Sequence, residues 1–169
     1  SPQRMMTSCM SAALSHWRAS GSTEIDEAPD TVSETSPEIQ ERPLVEFMRR
    51  NTLDWNPEEL RKCDSKYKAL IRTITEIKST SKDEKIILFS AFIPTLDYLQ
   101  ERLAQDGFNP IVIHGKVKDR KACLDQFRED KNIDILLASE IGSEGLDLQF
   151  CKILFNYDLP WNPMKIEQR

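Results

Sequence analysis

Four short apolar runs in the C-terminal half of the chain restrict it to one class of fold. They cover residues 85–90, 110–114, 133–138 and 152–157. A continuous apolar run of this length is expected for a strand that is buried on both faces of a parallel sheet. Helical periodicity at 94–105 and 118–129 separates the first three runs. Strands that alternate with helices predict a doubly wound α/β domain, with a parallel sheet, helices on both faces and right-handed crossovers.

Shorter elements are predicted around this regular part. A helical turn is expected at 143–146, and Pro163 is expected to begin a last helix. Upstream, Asn56-Pro57 is typical of a helix start, and Asp64 opens a stronger helix. The apolar stripe of that helix recurs with a spacing of 3.6 residues and consists of Tyr67, Leu70, Ile71, Ile74 and Ile77.

The N-terminal quarter of the chain is predicted to be an appendage of this domain. Residues 4–18 carry Met, Leu and Trp at helical spacing, which predicts a short amphipathic helix that packs on another surface. Residues 19–43 are rich in Ser, Thr, Glu, Asp and Pro and predict a flexible acidic linker. The predicted organisation is therefore a helical segment at 1–18, the linker at 19–43, a helical lead-in at 44–84 and the α/β domain at 85–169.

Charge is distributed unevenly, so the formal net charge of −5 is a poor guide to partners. Residues 24–46 hold eight acids and one base, a net charge of −7, and the other residues together carry +2. A slightly basic remainder is compatible with a polyanion partner. The four cysteines lie far apart with no CxxC pair, so we expect reduced thiols and no metal site. The absence of a signal peptide pattern or a long apolar run predicts a soluble intracellular protein with no membrane partner.

Small or basic residues follow three of the predicted strands. Ser90 follows the first strand, Gly115 and Lys116 follow the second, and Ser139 follows the third. These residues should lie together, because the carboxyl ends of parallel strands meet at one edge of the sheet. Hydroxyls, an exposed glycine amide and a lysine are suited to holding successive backbone phosphates of a nucleic acid. Small polar residues also end many strands for structural reasons, so only the combination favours a phosphate contact.

The polar loop after the third strand is a second candidate site. Gly145 would let the backbone approach a ligand, and Asp147, with Glu144 nearby, could accept hydrogen bonds from a ribose hydroxyl. The alternative is an acidic turn in which Ser143 caps a helix, and the residues alone do not separate the two. His114 is expected to be a hydrogen-bonded strand-end residue rather than a general base, because no nucleophile pattern or second His stands near it.

Five segments occur in the order of the motifs of one family. Residues 86–92 resemble motif IV, 114–127 the next motif, 139–148 motif V, 156–163 an Asp-x-x-Trp-Asn-Pro signature, and 167–169 the start of motif VI. Together they resemble the C-terminal RecA-like domain of superfamily-two helicases, and within them the Swi/Snf class of DNA translocases. The Ser-Glu-x-Gly-Ser-Glu-Gly sequence of residues 139–145 is closest to that of bacterial and phage members. This implies a cytoplasmic location in a bacterial or phage-infected cell.

The resemblance implies a RecA-like fold and translocation along double-stranded DNA, driven by ATP with Mg²⁺. The residues implied to touch one DNA strand are Ser90, Gly115, Lys116 and Ser139. Those implied to line the ATP cleft are Glu144, Gly145, Asp147, Gln168 and Arg169. ATP would bind between this domain and an N-terminal RecA-like domain, and residues 1–18 would be the remnant of an inter-domain brace.

Catalysis by this chain alone is not expected. The sequence contains no Gly-x-x-x-x-Gly-Lys-Ser/Thr phosphate loop. Residues 26–29, Asp-Glu-Ala-Pro, lack the buried preceding strand that an acidic metal-binding box requires. With no complete catalytic set, the chain is expected to be an inactive fragment of an ATPase. Two alternatives stay open: the second domain of an RNA helicase, which Trp161-Asn162-Pro163 disfavours, and a non-catalytic α/β module whose acidic linker recruits a protein partner.

Overall fold

A sheet flanked by helices accounts for most of the structure, a computed structural model that describes residues 2–20, 50–52 and 54–159. Its helices include α1 (Pro2–Ser8), α2 (Met10–Ser20), α3 (Pro57–Cys63), α4 (Ser65–Thr80), α5 (Ile93–Gln105), α6 (Arg120–Glu129) and α7 (Glu140–Ser143). Its strands are β1 (Ile86–Phe89), β2 (Pro110–Ile113), β3 (Ile135–Ala138) and β4 (Ile153–Asn156). Within the described ranges, no helix has the length and apolar character needed to cross a membrane.

The four strands form one parallel sheet in the order β2-β3-β1-β4. Ile86 pairs with both Ile135 and Ile153, and Pro110 pairs with Ile135, so the strands begin at the same level. The chain runs from β1 to the far edge through α5 and returns from β2 to β3 through α6. The two crossovers run in opposite directions across the sheet and lie on opposite faces of it. Both crossovers therefore have the same hand. The predicted doubly wound sheet is confirmed.

Both faces of the sheet are covered, as the uninterrupted apolar runs predict. Every residue of β1 and of β3 is buried. Successive strand residues point to opposite faces, so Ile86 and Leu88 join a cluster with α4 and α5, whereas Ile87 and Phe89 join one with α6. The predicted placement of helices on both faces is therefore confirmed.

The helix before the sheet begins and packs as its sequence predicts. The Asp64 carboxylate accepts a hydrogen bond from the Tyr67 backbone N–H at 2.9 Å and caps the start of α4. It also accepts a bond from the Tyr98 hydroxyl at 2.8 Å, and the Tyr67 hydroxyl donates to Asp106 at 2.6 Å. Burial, together with these carboxylates, raises the pKa of both phenols. The buried residues of the helix are Tyr67, Leu70 and Ile74, with Ile71 and Ile77 half-buried beside them.

The N-terminal helices pack directly onto the α/β domain. The predicted single helix is divided into α1 and α2, yet the backbone bonds from Cys9 to Met5 and from Ala13 to Cys9, both 3.0 Å, continue across the junction. Trp17 and Met5 are buried in a cluster with Phe92, at the start of α5. The predicted packing is confirmed, except that Met10 is 39% exposed.

One short helix lies earlier in the chain than the sequence predicts. The turn expected at 143–146 is a helix at Glu140–Ser143, because Ser139 rather than Ser143 caps its start. Several predictions fall outside the described residues: the linker beyond residue 20, the start of the helical lead-in at 44–49, the helix beginning at Pro163, and the site residues Gln168 and Arg169.

Candidate functional site

The ends of all four strands leave the sheet at one edge. Beyond the strands, the backbone N–H of Ser90 bonds to Ala138 at 3.1 Å, and that of Ser139 bonds to Ile113 at 3.0 Å. On the side of β1 that faces β4, the Tyr157 N–H bonds to the Phe89 carbonyl at 2.8 Å. The residues expected to share an edge therefore do so.

The loop after β2 is an exposed part of this edge. Gly115 and Lys116 are both exposed. The Lys116 backbone N–H donates to His114 Nδ1 at 3.2 Å, so His114 is the hydrogen-bonded strand-end residue that the sequence predicts. A Cβ atom on Gly115 would lie 3.2 Å from the Ile141 side chain, which makes glycine the residue that fits most easily here.

The Ser139 hydroxyl is buried and serves as the cap of α7. It accepts a hydrogen bond from the Gly142 N–H at 3.0 Å, and Ser139 is 2% exposed. The hydroxyl is therefore not presented to solvent, and its predicted phosphate contact stays a prediction.

Gly142 was not among the predicted site residues, although the structure requires glycine there. An ideal Cβ at this position would lie 2.4 Å from the carbonyl oxygen of Ile113 and 2.6 Å from the Cα of His114. Helix α7 thus rests directly on the backbone at the end of β2. The glycine inside the Ser-Glu-x-Gly run was the available signal for this close approach.

Ser90 lies beneath a polar cluster that the N-terminal helix completes. Its hydroxyl donates to Asp158 at 2.5 Å, and Ser90 is 1% exposed. The same carboxylate accepts bonds from the Ser8 hydroxyl at 2.8 Å and from Lys66 Nζ at 3.1 Å. Ser8 also shares a 3.0 Å hydrogen bond with Thr95. The Ser90 hydroxyl therefore faces Asp158 rather than solvent.

A cleft of about 580 Å³ lies between α6 and the loop after α7. Glu144 and Gly145 are exposed in its wall, and Gly145 has a φ of +76°, which favours glycine. Asp147 is 3.5 Å from the Arg128 guanidinium, which also donates to its backbone carbonyl. The predicted nucleotide contacts Glu144, Gly145 and Asp147 therefore line one cleft.

Arg120 joins this cleft to the strand-end edge. Its guanidinium donates at 2.6 Å to the carbonyl of Ile141 in α7, while its own helix forms the other wall of the cleft. The charged residues that line the cleft are Lys118, Asp119, Arg120, Lys121, Asp125, Arg128, Glu144 and Asp147. Acids and bases are balanced there, so the cleft does not concentrate one sign of charge. Among the described residues, no group of three or more His, Cys, Asp or Glu could hold a metal ion.

Comparison with known proteins decides the family. The model of the helicase conserved C-terminal domain matches residues 65–169, which is more than half of the chain. The chain belongs to this helicase C-terminal domain family. The resemblance to the C-terminal RecA-like domain of superfamily-two helicases is thereby confirmed.

Curated relatives include proteins named for different nucleic acids. The ATP-dependent helicase YqhH of Bacillus subtilis is 45% identical over 89 residues, which cover 52% of this chain and 16% of YqhH. The ATP-dependent RNA helicase DBP2 of Eremothecium gossypii is 35% identical over 89 residues, 52% of this chain and 16% of DBP2. The DNA repair protein RAD5B of Arabidopsis thaliana is 36% identical over 107 residues, 62% of this chain and 8% of RAD5B. This helicase domain therefore spans only a small part of each relative.

The fold is shared with a solved helicase-type domain. The C-terminal part of the Fun30 ATPase domain superimposes with a TM-score of 0.56 at 24% identity, covering 83% of this chain and 50% of that one. At this identity the likeness concerns the fold, and it agrees with the RecA-like architecture expected from the sequence.

Proposed function

We propose that the chain supplies the second motor domain of an ATP-dependent double-stranded DNA translocase of the Swi/Snf class. The observation that carries the proposal is the course of residues 139–147. This segment begins at the strand-end edge, passes through α7 and ends in the cleft that holds Glu144, Gly145 and Asp147. A ligand in the cleft and a nucleic acid at the edge would therefore act on the same few residues.

The exposed loop after β2 is the proposed grip on the DNA backbone. Lys116 offers a cation, and Gly115 leaves its backbone open to close approach by a phosphate. Ser90 and Ser139, which were predicted to touch DNA as well, are assigned a supporting role. Their hydroxyls hold Asp158 and the start of α7, and so fix the shape of the edge.

The cleft beside α6 is proposed as this domain's share of an ATP site. Gly145 leaves room for the nucleotide, and Asp147 has a 69% exposed side chain that can accept hydrogen bonds from a ribose hydroxyl. Gln168 and Arg169 would approach the phosphates, with Mg²⁺ carried by the nucleotide. The balanced charge of the cleft suits half of a shared site, with further cations supplied by an N-terminal RecA-like domain. Closure of the two domains on ATP would then move their DNA contacts relative to each other.

Double-stranded DNA is favoured over RNA by the segment that follows β4. Residues 158–163 read Asp-Leu-Pro-Trp-Asn-Pro, which resembles the signature of the Swi/Snf class. The similarity to RAD5B supports this choice, whereas the similarity to DBP2 supports an RNA helicase. The RNA helicase is therefore the second candidate, and the two differ in which duplex they bind.

Binding measured by fluorescence anisotropy tests the proposal on the 169-residue chain. We expect weak, sequence-independent binding to duplex DNA that falls steeply with added salt, because counterions are released from the phosphates. Lys116→Gln should weaken binding, whereas Lys82→Gln should not, since exposed Lys82 lies in the turn that enters β1 from the opposite edge. Preference for duplex RNA in competition would favour the second candidate. If the chain shows no salt-dependent binding to either duplex, both the DNA translocase and the RNA helicase are ruled out.

The ATP assignment is tested separately by turnover. The chain alone should show no ATP hydrolysis, with or without DNA, because its sequence holds no phosphate loop. In the whole protein, Asp147→Asn should raise the KM for ATP more than it lowers kcat, since a ribose contact is made in both the ground and transition states. DNA-stimulated turnover by the isolated chain would contradict the assignment of half a site.

A further inference from the structure

A basic pocket is lined in part by Asp158, the carboxylate that accepts a hydrogen bond from the buried Ser90 hydroxyl. It is formed where α1 crosses the ends of β1 and β4, and it has a volume of about 360 Å³. Its polar lining residues are Arg4 and Thr7 of α1, Lys66 of α4 and Asp158. None of these residues belongs to a predicted site, and the pocket is separate from the cleft beside α6.

Among the described residues, the Arg4 guanidinium in this pocket has no acidic partner. The guanidinium instead makes a cation–π contact with the ring of Phe92, whose centroid lies 5.9 Å away. Its charge is not neutralised by Asp158, because that carboxylate already accepts bonds from Ser8, Ser90 and Lys66. The pocket therefore keeps one positive charge in excess.

The group that suits this pocket is a phosphate. A half-buried guanidinium beside a lysine ammonium offers charge-assisted hydrogen bonds, and guanidinium in particular matches the geometry of phosphate oxygens. The Lys66 side chain is 39% exposed, and its ammonium donates to Asp158 and to the Ser8 carbonyl, which leaves one of its three donors for an incoming anion.

The position of the pocket indicates which phosphate it holds. Ser90 and Asp158 follow β1 and β4, so the pocket opens at the same sheet edge as Gly115 and Lys116, which follow β2. A nucleic-acid backbone that runs along this edge would meet Lys116 at one end and Arg4 at the other. We propose that Arg4 and Lys66 form a second backbone-phosphate contact, supplied largely by the N-terminal helix α1. This proposal rests on the proposed function.

Salt-dependent binding of the 169-residue chain to duplex DNA provides the test. Arg4→Gln should weaken binding severalfold and make the slope of log K against log salt shallower by about 0.9, the value expected for one lost phosphate contact. Arg4→Lys should retain most of the slope, and Thr7→Arg should steepen it, since Thr7 is exposed beside the pocket. Lys82→Gln serves again as the charge-matched control. Thermal melting of each variant checks that the fold is unchanged.

The outcomes separate this proposal from the proposed function. If Lys116→Gln weakens binding while Arg4→Gln and Thr7→Arg leave the affinity and slope unchanged, the second contact is wrong and the DNA-binding function stands. If the unaltered chain shows no salt-dependent binding to duplex DNA or RNA, both proposals fail. If Arg4→Gln lowers affinity for duplex RNA but not for duplex DNA, the pocket belongs to an RNA-binding domain and the proposal is overturned for DNA.

Discussion

The Ser90 hydroxyl donates to the Asp158 carboxylate at 2.5 Å, although 68 residues separate them in the chain. This bond ties the loop after β1 to the loop after β4 and, through Ser8, to the N-terminal helix. Asp158 is the first residue of the Asp-x-x-Trp-Asn-Pro segment, and its carboxylate is held by Ser8, Lys66 and Ser90, which come from three distant parts of the sequence.

Asp158→Ala should destabilise the domain by about 2–4 kcal/mol. The substitution leaves the Ser8 and Ser90 hydroxyls and the Lys66 ammonium without their shared acceptor, and unsatisfied buried groups cost about 1–3 kcal/mol each. Lys66 is 39% exposed, so water compensates part of its loss. Urea unfolding would measure the change. Ser90→Ala is the matched variant and should cost less, about 1 kcal/mol, because the carboxylate retains its other two donors.

Trp17→Ala should cost about 3–5 kcal/mol, the usual penalty for removing a large buried aromatic side chain. Trp17 is 1% exposed and packs with Met5, Leu14 and Phe92. Met10→Ala, at a position that is 39% exposed in the same helix, should change the unfolding free energy by less than about 1 kcal/mol. Equal effects of the two substitutions would mean that the N-terminal helices are not part of the cooperative fold.

The regular elements were predictable because their signals are local. The apolar run of β1 and the stripe of α4 each specify an element from neighbouring residues alone. The partner of Ser90 was not predictable in this way, because a serine after a strand has the same sequence signal whether its hydroxyl faces a phosphate or a buried carboxylate. The same limit applies to Ser139.

The misplaced short helix shows where local signals compete. Ser139 and Ser143 are both followed by glutamate, so each offers a helix start. The choice is decided by Gly142, since only a helix capped by Ser139 brings that glycine against the backbone of Ile113. Such a contact between elements leaves no trace in the spacing of hydrophobic residues.

Gly142→Ala should therefore destabilise the domain by about 3 kcal/mol, because the new methyl group would overlap backbone atoms that cannot move aside. Gly107→Ala is a suitable control. Gly107 has a φ of +88° but nothing within 4 Å of the added Cβ, so only the conformational cost of about 1 kcal/mol applies. Calorimetric melting of the two variants measures the difference, and an equal loss in both would show that the close approach of α7 to β2 is absent.

The stability of the domain should fall as the pH rises from about 9 to 11. Burial raises the pKa of the Cys9 thiol from its ordinary 9.0 to about 11. A raised pKa in the folded state stabilises the fold fully below pH 9, and this stabilisation is lost as the pH rises toward 11, a change of about 2–3 kcal/mol. Cys9→Ala should remove this part of the decline in urea unfolding. A further decline above pH 10 should persist, since the pKa values of Tyr67, Tyr98 and Tyr157 are raised too.

Arg120→Ala should loosen α7 and the loop after it without unfolding the domain. The Arg120 guanidinium donates to the Ile141 carbonyl at 2.6 Å and lies near the Gly142 carbonyl at 3.5 Å, so its loss leaves the end of a four-residue helix without these donors. We expect faster amide hydrogen exchange across residues 140–147 and a global loss of only about 1–2 kcal/mol. Lys121→Ala, an exposed neighbour in α6, should leave the exchange of that segment unchanged. Unchanged exchange in Arg120→Ala would mean that Arg120 does not link the cleft to the strand-end edge.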